Sequence, residues 1–397
     1  MRNSIFVSII ILAFSITTVY SADKYDNFDK NVNGLLGSHY TKFKDQEYFS
    51  GIALSIYKPN QPIRDYYIGN TGHEANSQKI DANALFEIGS ISKSFTSAII
   101  LQLQKEKKLN LQETMRHRLP VYGKWSKATI ETLLNMTSGL PNYSDAPIMN
   151  AEQYFHPNKQ WTDKELIAFV YPNSAFVPPV KSGYFYSNTG YVLAGMIIEN
   201  ITKESMQLNM QKRLFRPAEL KNTFYPIPSA DKKVYARLIH GYGYNPYSNP
   251  ELVGQSSQTS NISWAGAAGA VISNPTDVIK WVKALFVDDK ILNSDQKQLL
   301  TRIVSTTTGK PIEVTSESDA HAFGLGIAQG FDKEIGSYWF YEGETEGFRA
   351  LYIYVPATGI IVSLIFNSAV DNENDHSGEL IKKIYHLTQD SLKSQTE

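Results

Sequence analysis

The chain has 397 residues, 42% hydrophobic and 19% charged, a balance that supports a sizeable core and excludes a disordered protein. Its 38 Lys and Arg nearly cancel its 39 Asp and Glu, and no basic run exceeds "KEKK", which argues against nucleic acid or an anionic membrane surface as partner. Without any cysteine there is no disulfide and no lipidated thiol.

The first stretch, "MRNSIFVSIIILAFSITTVYSADK", has a basic start at Arg2, an apolar centre from Ile5 to Ile16 and small residues up to Ser21. That layout is a secretory signal cleaved after Ser21, since the apolar run is short for a membrane span. The expectation is a secreted or periplasmic protein of residues 22–397, with no stable membrane insertion after cleavage.

Phe28, Val32, Leu35, Leu36, Tyr40 and Phe43 then recur at helical spacing and predict an amphipathic helix. "YFSGIALSIYK" and "IRDYYIGNTG" read as strands around the turn "PNQP". Next comes "FEIGSISKSFTSAII", Phe86 to Ile100, which opens an apolar helix with serines and a lysine at its mouth. "TIETLLNM", "GYVLAGMIIENIT" and "DVIKWVKALF" are further helical patterns, separated by loops rich in Pro and Gly. Asn245 to Ser263 is one long polar loop. "RALYIYVP" and "IIVSLIFN" flank the turn "ATG" as a second hairpin, and a last helix carries Leu380, Ile384, Leu387 and Ser391 on one side.

Strands at both ends with helices between predict an α/β (α+β) fold: an antiparallel sheet built from both termini, flanked by helices, with an inserted all-helical subdomain. The α/β part would take residues 22–100 and 255–397, and the helical part 101–254.

Ser-x-x-Lys occurs five times, beginning at Ser21, Ser55, Ser90, Ser229 and Ser294. At Ser90 alone does it open a long apolar helix. There an offset of three is one helical turn, so Lys93 stacks beside Ser90. Ile99, Ile100 and Leu103 would keep water out, and a desolvated lysine loses its charge more readily. A neutral amine beside a hydroxyl is a general base beside a nucleophile. The competing reading is a serine cap with a lysine snorkelling outward. A second segment, "YFYSNTGYVLAGMIIE", places Tyr186, Ser187 and Asn188 in a turn leading into another helix. A phenol near a lysine relays protons, although by itself such a turn is ordinary capping.

With these segments the chain resembles the serine β-lactamase and penicillin-binding protein family, in its class C β-lactamase, D-Ala-D-Ala carboxypeptidase and esterase branch. That family pairs Ser-x-x-Lys with Tyr-x-Asn and a later Lys- or His-Thr-Gly strand. "TIETLLNMTSGLPNY", "LFRPAELKNTFY", "WAGAAGAVISNPTDVIKW" and "HAFGLGIAQG" continue the likeness in the right order, over roughly residues 25 to 390. The resemblance implies Ser90 as nucleophile, Lys93 as its partner, and Tyr186 as base for acylation and acid for the leaving group. Asn188 would bind both substrate and the lysine. It further implies an oxyanion hole made by the backbone N–H of Ser90 and of the residue after the third triplet.

That triplet departs from the pattern. Counted back from Gly347-Phe348 it is Tyr341-Glu342-Gly343, with Glu344 next; these four and Asn188 are the substrate-binding candidates. Gly343 is retained, while the basic residue has become Tyr341 and the threonine Glu342. Strand alternation places Glu342, Glu344 and Glu346 on one, solvated face and Tyr341 with Gly343 on the other. Arg349 could restore a carboxylate contact, its direction being open. The expected substrate is a small molecule or short peptide, peptidoglycan-derived ones included, with an ester or amide bond and a neutral or amine-bearing end. A carboxylesterase and a non-catalytic penicillin-binding-like protein are the alternatives. No cofactor or metal is implied, the eight histidines being scattered; His240 in "LIHGYG" could approach the cleft, but a surface or core position is the stronger expectation.

Overall fold

The computed structural model describes residues 16–172, 181–244, 254, 256, 260–370 and 373–396. Most of the signal segment and most of the long polar loop therefore lie outside the described residues. A helix α1, Ile16–Phe43, already begins within the stretch assigned to the signal.

The strands are β1 (Gly51–Tyr57), β2 (Arg64–Gly69), β3 (Phe86–Glu87), β4 (Tyr242–Tyr244), β5 (Ile272–Ser273), β6 (Ile303–Ser305) and β7 (Pro311–Ile312). They continue with β8 (His321–Phe323), β9 (Ala328–Asp332), β10 (Gly336–Glu344), β11 (Arg349–Val355), β12 (Ile360–Phe366) and β13 (Ser368–Val370). Nine of them form one sheet in the order β2-β1-β12-β11-β10-β9-β8-β6-β7. Both predicted hairpins are present, and β1 joins them by pairing antiparallel with β12, Leu54 opposite Leu364. The sheet is thus closed by strands from the two ends of the chain, as the sequence predicts.

Why these strands are nearly unbroken apolar runs follows from what covers them. Ile52, Leu54, Ile56, Leu351, Ile353, Val362 and Leu364 meet Phe28, Val32 and Leu36 of α1 and Leu380 and Ile384 of the last helix, Ser377–Thr396. Ala53, Ala350, Tyr352, Ile361 and Ile365 on the opposite face belong to a second, larger core. A sheet buried on both faces has no polar side to alternate with.

The second core is built around α2, Ser92–Lys105, in which every residue from Ser92 to Leu101 is buried. A helix buried on all sides belongs in the middle of a protein. Between β3 and β4, every described element is helical.

One detail of the sheet positions the site. β9 pairs with β10 only from Gly336 to Phe340, whereas β10 pairs with β11 up to Glu344. The segment Tyr341–Glu344 therefore has one edge without a strand neighbour, and the short 3₁₀ turn Gly89–Ile91 packs there.

Candidate active site

Ser90 sits in that 3₁₀ turn, immediately before α2. The turn needs Gly89, whose φ is +47° and whose Cβ, if it had one, would lie 2.6 Å from the Glu344 nitrogen. Lys93 follows on the first turn of α2 with no solvent exposure. Its ammonium nitrogen donates to Ser90 Oγ at 2.8 Å and to the Ala268 carbonyl at 3.0 Å. The ring of Tyr186 is centred 4.8 Å from Nζ and that of Tyr191 5.6 Å. The wall around the amine is therefore aromatic, more than the aliphatic one expected from Ile99, Ile100 and Leu103. Burial pulls the Lys93 pKa down, while the Tyr186 hydroxyl opposes that effect.

Tyr186 reaches the same point from the helical side. Its oxygen lies 2.6 Å from Ser90 Oγ. The backbone around it hangs on the turn after the helix Ile130–Leu134: Phe185 N donates to Met136 O at 2.8 Å, Asn188 N to Asn142 Oδ1 at 2.9 Å, and Thr189 Oγ1 to Pro141 O at 2.7 Å. Lys93 already donates to Ser90 Oγ, so the serine proton is directed at Tyr186.

Asn188 is placed differently from expectation. It opens the helix Asn188–Thr202, and its side-chain amide turns toward the preceding loop, donating to Ser144 Oγ at 3.0 Å. The lysine is oriented instead by the Ala268 carbonyl, from the "AGAAGA" segment. That segment is clamped to α2 by Thr96 Oγ1 donating to Ala267 O at 2.7 Å and Val271 N donating to Ser92 Oγ at 3.0 Å.

On β10, Tyr341 is opposite Tyr352 and Gly343 opposite Ala350, facing Ser90, while Glu342 and Glu344 pair with Leu351 and Arg349 on the other face. Both glutamates are exposed, as alternation predicts. Glu346 breaks that expectation because the strand ends at Glu344. It turns inward, its carboxylate accepts from Gln153 Nε2 at 3.1 Å, and burial raises its pKa. Gly343 is indispensable by space alone: a Cβ there would fall 2.1 Å from Ile88 O and 2.8 Å from Ser90 N.

Arg349 is not available to a substrate carboxylate. The residue is 4% exposed, and its guanidinium donates to Asp375 at 2.6 Å, Glu47 at 2.8 Å and Ser368 O at 2.9 Å. His240 is spent on Glu74 at 2.9 Å and does not line the cavity that the other residues share.

That cavity has a volume of about 530 Å³ and brings together Ser90, Tyr186, Asn188, Tyr341, Glu342, Gly343 and Glu344. A larger hollow of about 800 Å³, between Gln207 and Val234, contains none of them. Ala268, Ser144, Asn142 and Tyr191 were not singled out from the sequence as parts of the site. The "AGAAGA" and "GLPNY" segments, which contain Ala268 and Asn142, were the available signal.

The sequence model of the Beta-lactamase family matches residues 36–384. The chain belongs to the Beta-lactamase family. This is a family of serine hydrolases, and the Ser-Lys-Tyr cluster lies inside the matched region. Penicillin-binding protein 4* of Bacillus subtilis is 24% identical over 315 residues, which cover 78% of this chain and 66% of that protein. The unguisins hydrolase of Aspergillus violaceofuscus is 25% identical over 252 residues, 59% of this chain and 42% of the relative. The chain thus spans two thirds or less of the length of these two relatives. Among solved structures, D-amino acid amidase of Ochrobactrum anthropi SV3 in complex with D-phenylalanine superposes with a TM-score of 0.74 at 23% identity, covering 94% of this chain and 99% of the amidase. That similarity establishes the fold.

Proposed function

We propose that the protein is an exported serine hydrolase that cleaves amide or ester bonds through an acyl-enzyme on Ser90. The observation that carries this reading is the continuous hydrogen-bonded row Lys93–Ser90–Tyr186, with contacts of 2.8 and 2.6 Å, at the wall of an open cavity. Burial disfavours an ammonium at Lys93, which suits the Lys93 and Tyr186 pair to taking up the serine proton.

As Ser90 Oγ bonds to the substrate carbonyl carbon, its proton passes to Tyr186 and the carbonyl π pair moves onto oxygen. Collapse of the tetrahedral intermediate expels the amine or alcohol, which takes the proton from Tyr186. Water then loses a proton to Tyr186 while attacking the acyl carbon, and Ser90 recovers that proton on release. The oxyanion belongs between the backbone N–H groups of Ser90 and Glu344, which the close approach of Gly343 and Gly89 sets side by side.

The preferred substrate carries a neutral or amine-bearing end. Where the family has a basic residue, Tyr341 offers no positive charge, Arg349 is spent on its own carboxylates, and Glu342 and Glu344 sit on the cavity rim. An acidic rim repels a terminal carboxylate. The amidase likeness supports amides of amino acids, and the penicillin-binding relative supports peptidoglycan-derived peptides within the same class. Export rests on the layout of residues 1–21.

A fluorophosphonate probe should label the protein, and Ser90→Ala should abolish the label. In a screen, p-nitrophenyl esters and D-amino-acid anilides should be cleaved faster than nitrocefin or a D-Ala-D-Ala peptide. Absence of a Ser90-dependent label would leave only a binding protein; fast nitrocefin turnover would remove the substrate assignment.

A further inference from the structure

We propose that the Tyr341 hydroxyl is the donor that holds Tyr186 in its proton-accepting form, in place of the charged side chain this strand lacks. The proposal rests on the acyl-enzyme reading above and assigns a positioning role within it. Tyr341 is 4% exposed, and its hydroxyl has no hydrogen-bond partner among the described residues. Orphaned buried hydroxyls are uncommon and ask for a reason. Tyr352, opposite it on β11, is orphaned as well. Tyr341, however, lines the cavity with Ser90 and Tyr186, and Tyr352 does not.

The acceptors around Tyr341 can be counted. The titratable groups facing it are Tyr184, Tyr186 and Tyr191; Lys93 lies behind Tyr186 and Tyr191. On the cavity wall His321 of β8, the glutamates of its own strand, and the mutually paired Arg349 and Asp375 complete the set. Tyr191 donates its proton to the Leu134 carbonyl at 2.6 Å. Glu342 and Glu344 are on the opposite face of the strand. In its proton-accepting form the Tyr186 oxygen carries the electron density that takes the serine proton, and a phenol donor beside it stabilises that density. The Tyr341 ring is held against Phe323, centroids 5.7 Å apart, so the hydroxyl is presented without a flexible stem. Burial pushes its own ionisation well above the usual phenol range, with Tyr186 adding to the effect. It therefore keeps its proton throughout: Ser90 gives a proton to Tyr186, Tyr186 gives one to the leaving group, and Tyr341 only donates a hydrogen bond.

The test compares Tyr341→Phe, Tyr352→Phe and Tyr341→Lys, following Ser90-dependent fluorophosphonate labelling, ester kcat and KM across pH, and thermal unfolding. Tyr341→Phe removes one oxygen and keeps the ring packing. It should lower kcat and the labelling rate about tenfold or more with KM little changed. The pH at which kcat/KM reaches half its plateau should rise by about one unit. Its melting temperature should fall little, since a single hydrogen bond between neutral groups contributes only about 1 kcal/mol net. Tyr352→Phe should leave rate and pH profile at wild-type values, and Tyr341→Lys should restore kcat above the Phe variant. Wild-type kcat and pH profile in Tyr341→Phe, or equal losses in the two Phe variants, would overturn the proposal. If Ser90→Ala retained the label, the acyl-enzyme reading itself would fail, which is a separate result.

Discussion

The Tyr186 oxygen lies 2.6 Å from Ser90 Oγ across a sequence separation of 96 residues. One comes from the turn before a helix of the sheet side, the other from a loop hung on the helical side. Whatever disturbs the seating of the two parts disturbs the proton path between them.

Lys93→Met should reduce kcat/KM by roughly 10²- to 10⁴-fold, the range for losing a proton-transfer group. It should also change the pH dependence of stability. Burial lowers the Lys93 pKa, so the native state holds fewer protons than the unfolded one between that lowered value and the ordinary one near ~10.4. Wild-type stability then rises with pH across this window, and the Met variant lacks the rise. Denaturant melts at a series of pH values check it; parallel curves would contradict it.

Gly343→Ala places a methyl group 2.1 Å from Ile88 O and 2.8 Å from Ser90 N. The strand must retreat from the nucleophile's turn, costing about 1–3 kcal/mol and separating the two oxyanion donors. Labelling at Ser90 should collapse even in the folded fraction. Retained labelling would place the oxyanion site elsewhere.

Arg349→Met takes the guanidinium from Glu47, which is buried at 0% exposure and keeps only its contacts with His376. Stability should drop by about 3–5 kcal/mol. The labelling rate per folded molecule, and the KM for a carboxylate-ended peptide, should stay unchanged. A selective rise in that KM would restore Arg349 as an anion clamp.

Glu87, three residues before the nucleophile, has its pKa raised to about 8, chiefly by burial, with Glu346 adding to the effect and Thr345 opposing it. A raised carboxyl means the native state binds the extra proton, so this group's contribution falls as pH rises between the ordinary value of 4.5 and about 8. Glu87→Gln should therefore gain stability relative to wild type as pH rises through that window, by about 1.4 kcal/mol per unit. Urea midpoints at pH 5 and pH 8 read the difference. An equal offset at both would show that Glu87 is paired some other way.

Much of this arrangement is legible in the sequence, for identifiable reasons. The Ser90–Lys93 pair can be read because an offset of three matches a helical turn, and the two hairpins because apolar runs on doubly buried strands stand out. The Ala268 carbonyl cannot be read, since a backbone acceptor leaves no mark on side-chain chemistry. Arg349 is ambiguous for another reason: its partners Glu47 and Asp375 lie near opposite ends of the chain. Glu346 misleads because alternation holds only while the strand lasts, and β10 stops two residues earlier. Asn188 misleads because a turn next to the nucleophile offers its amide a nearer partner in Ser144.

The pairing of β1 with β12 has a consequence for biogenesis. A ribosome emits Ser90 long before it emits the strands that back the oxyanion donors, and β1 waits for a partner from the far end of the polypeptide. Long-range closure of this kind is slow, so the nascent chain carries its future nucleophile in an unassembled and chemically silent state. Hydrolytic competence arrives only with the final strands.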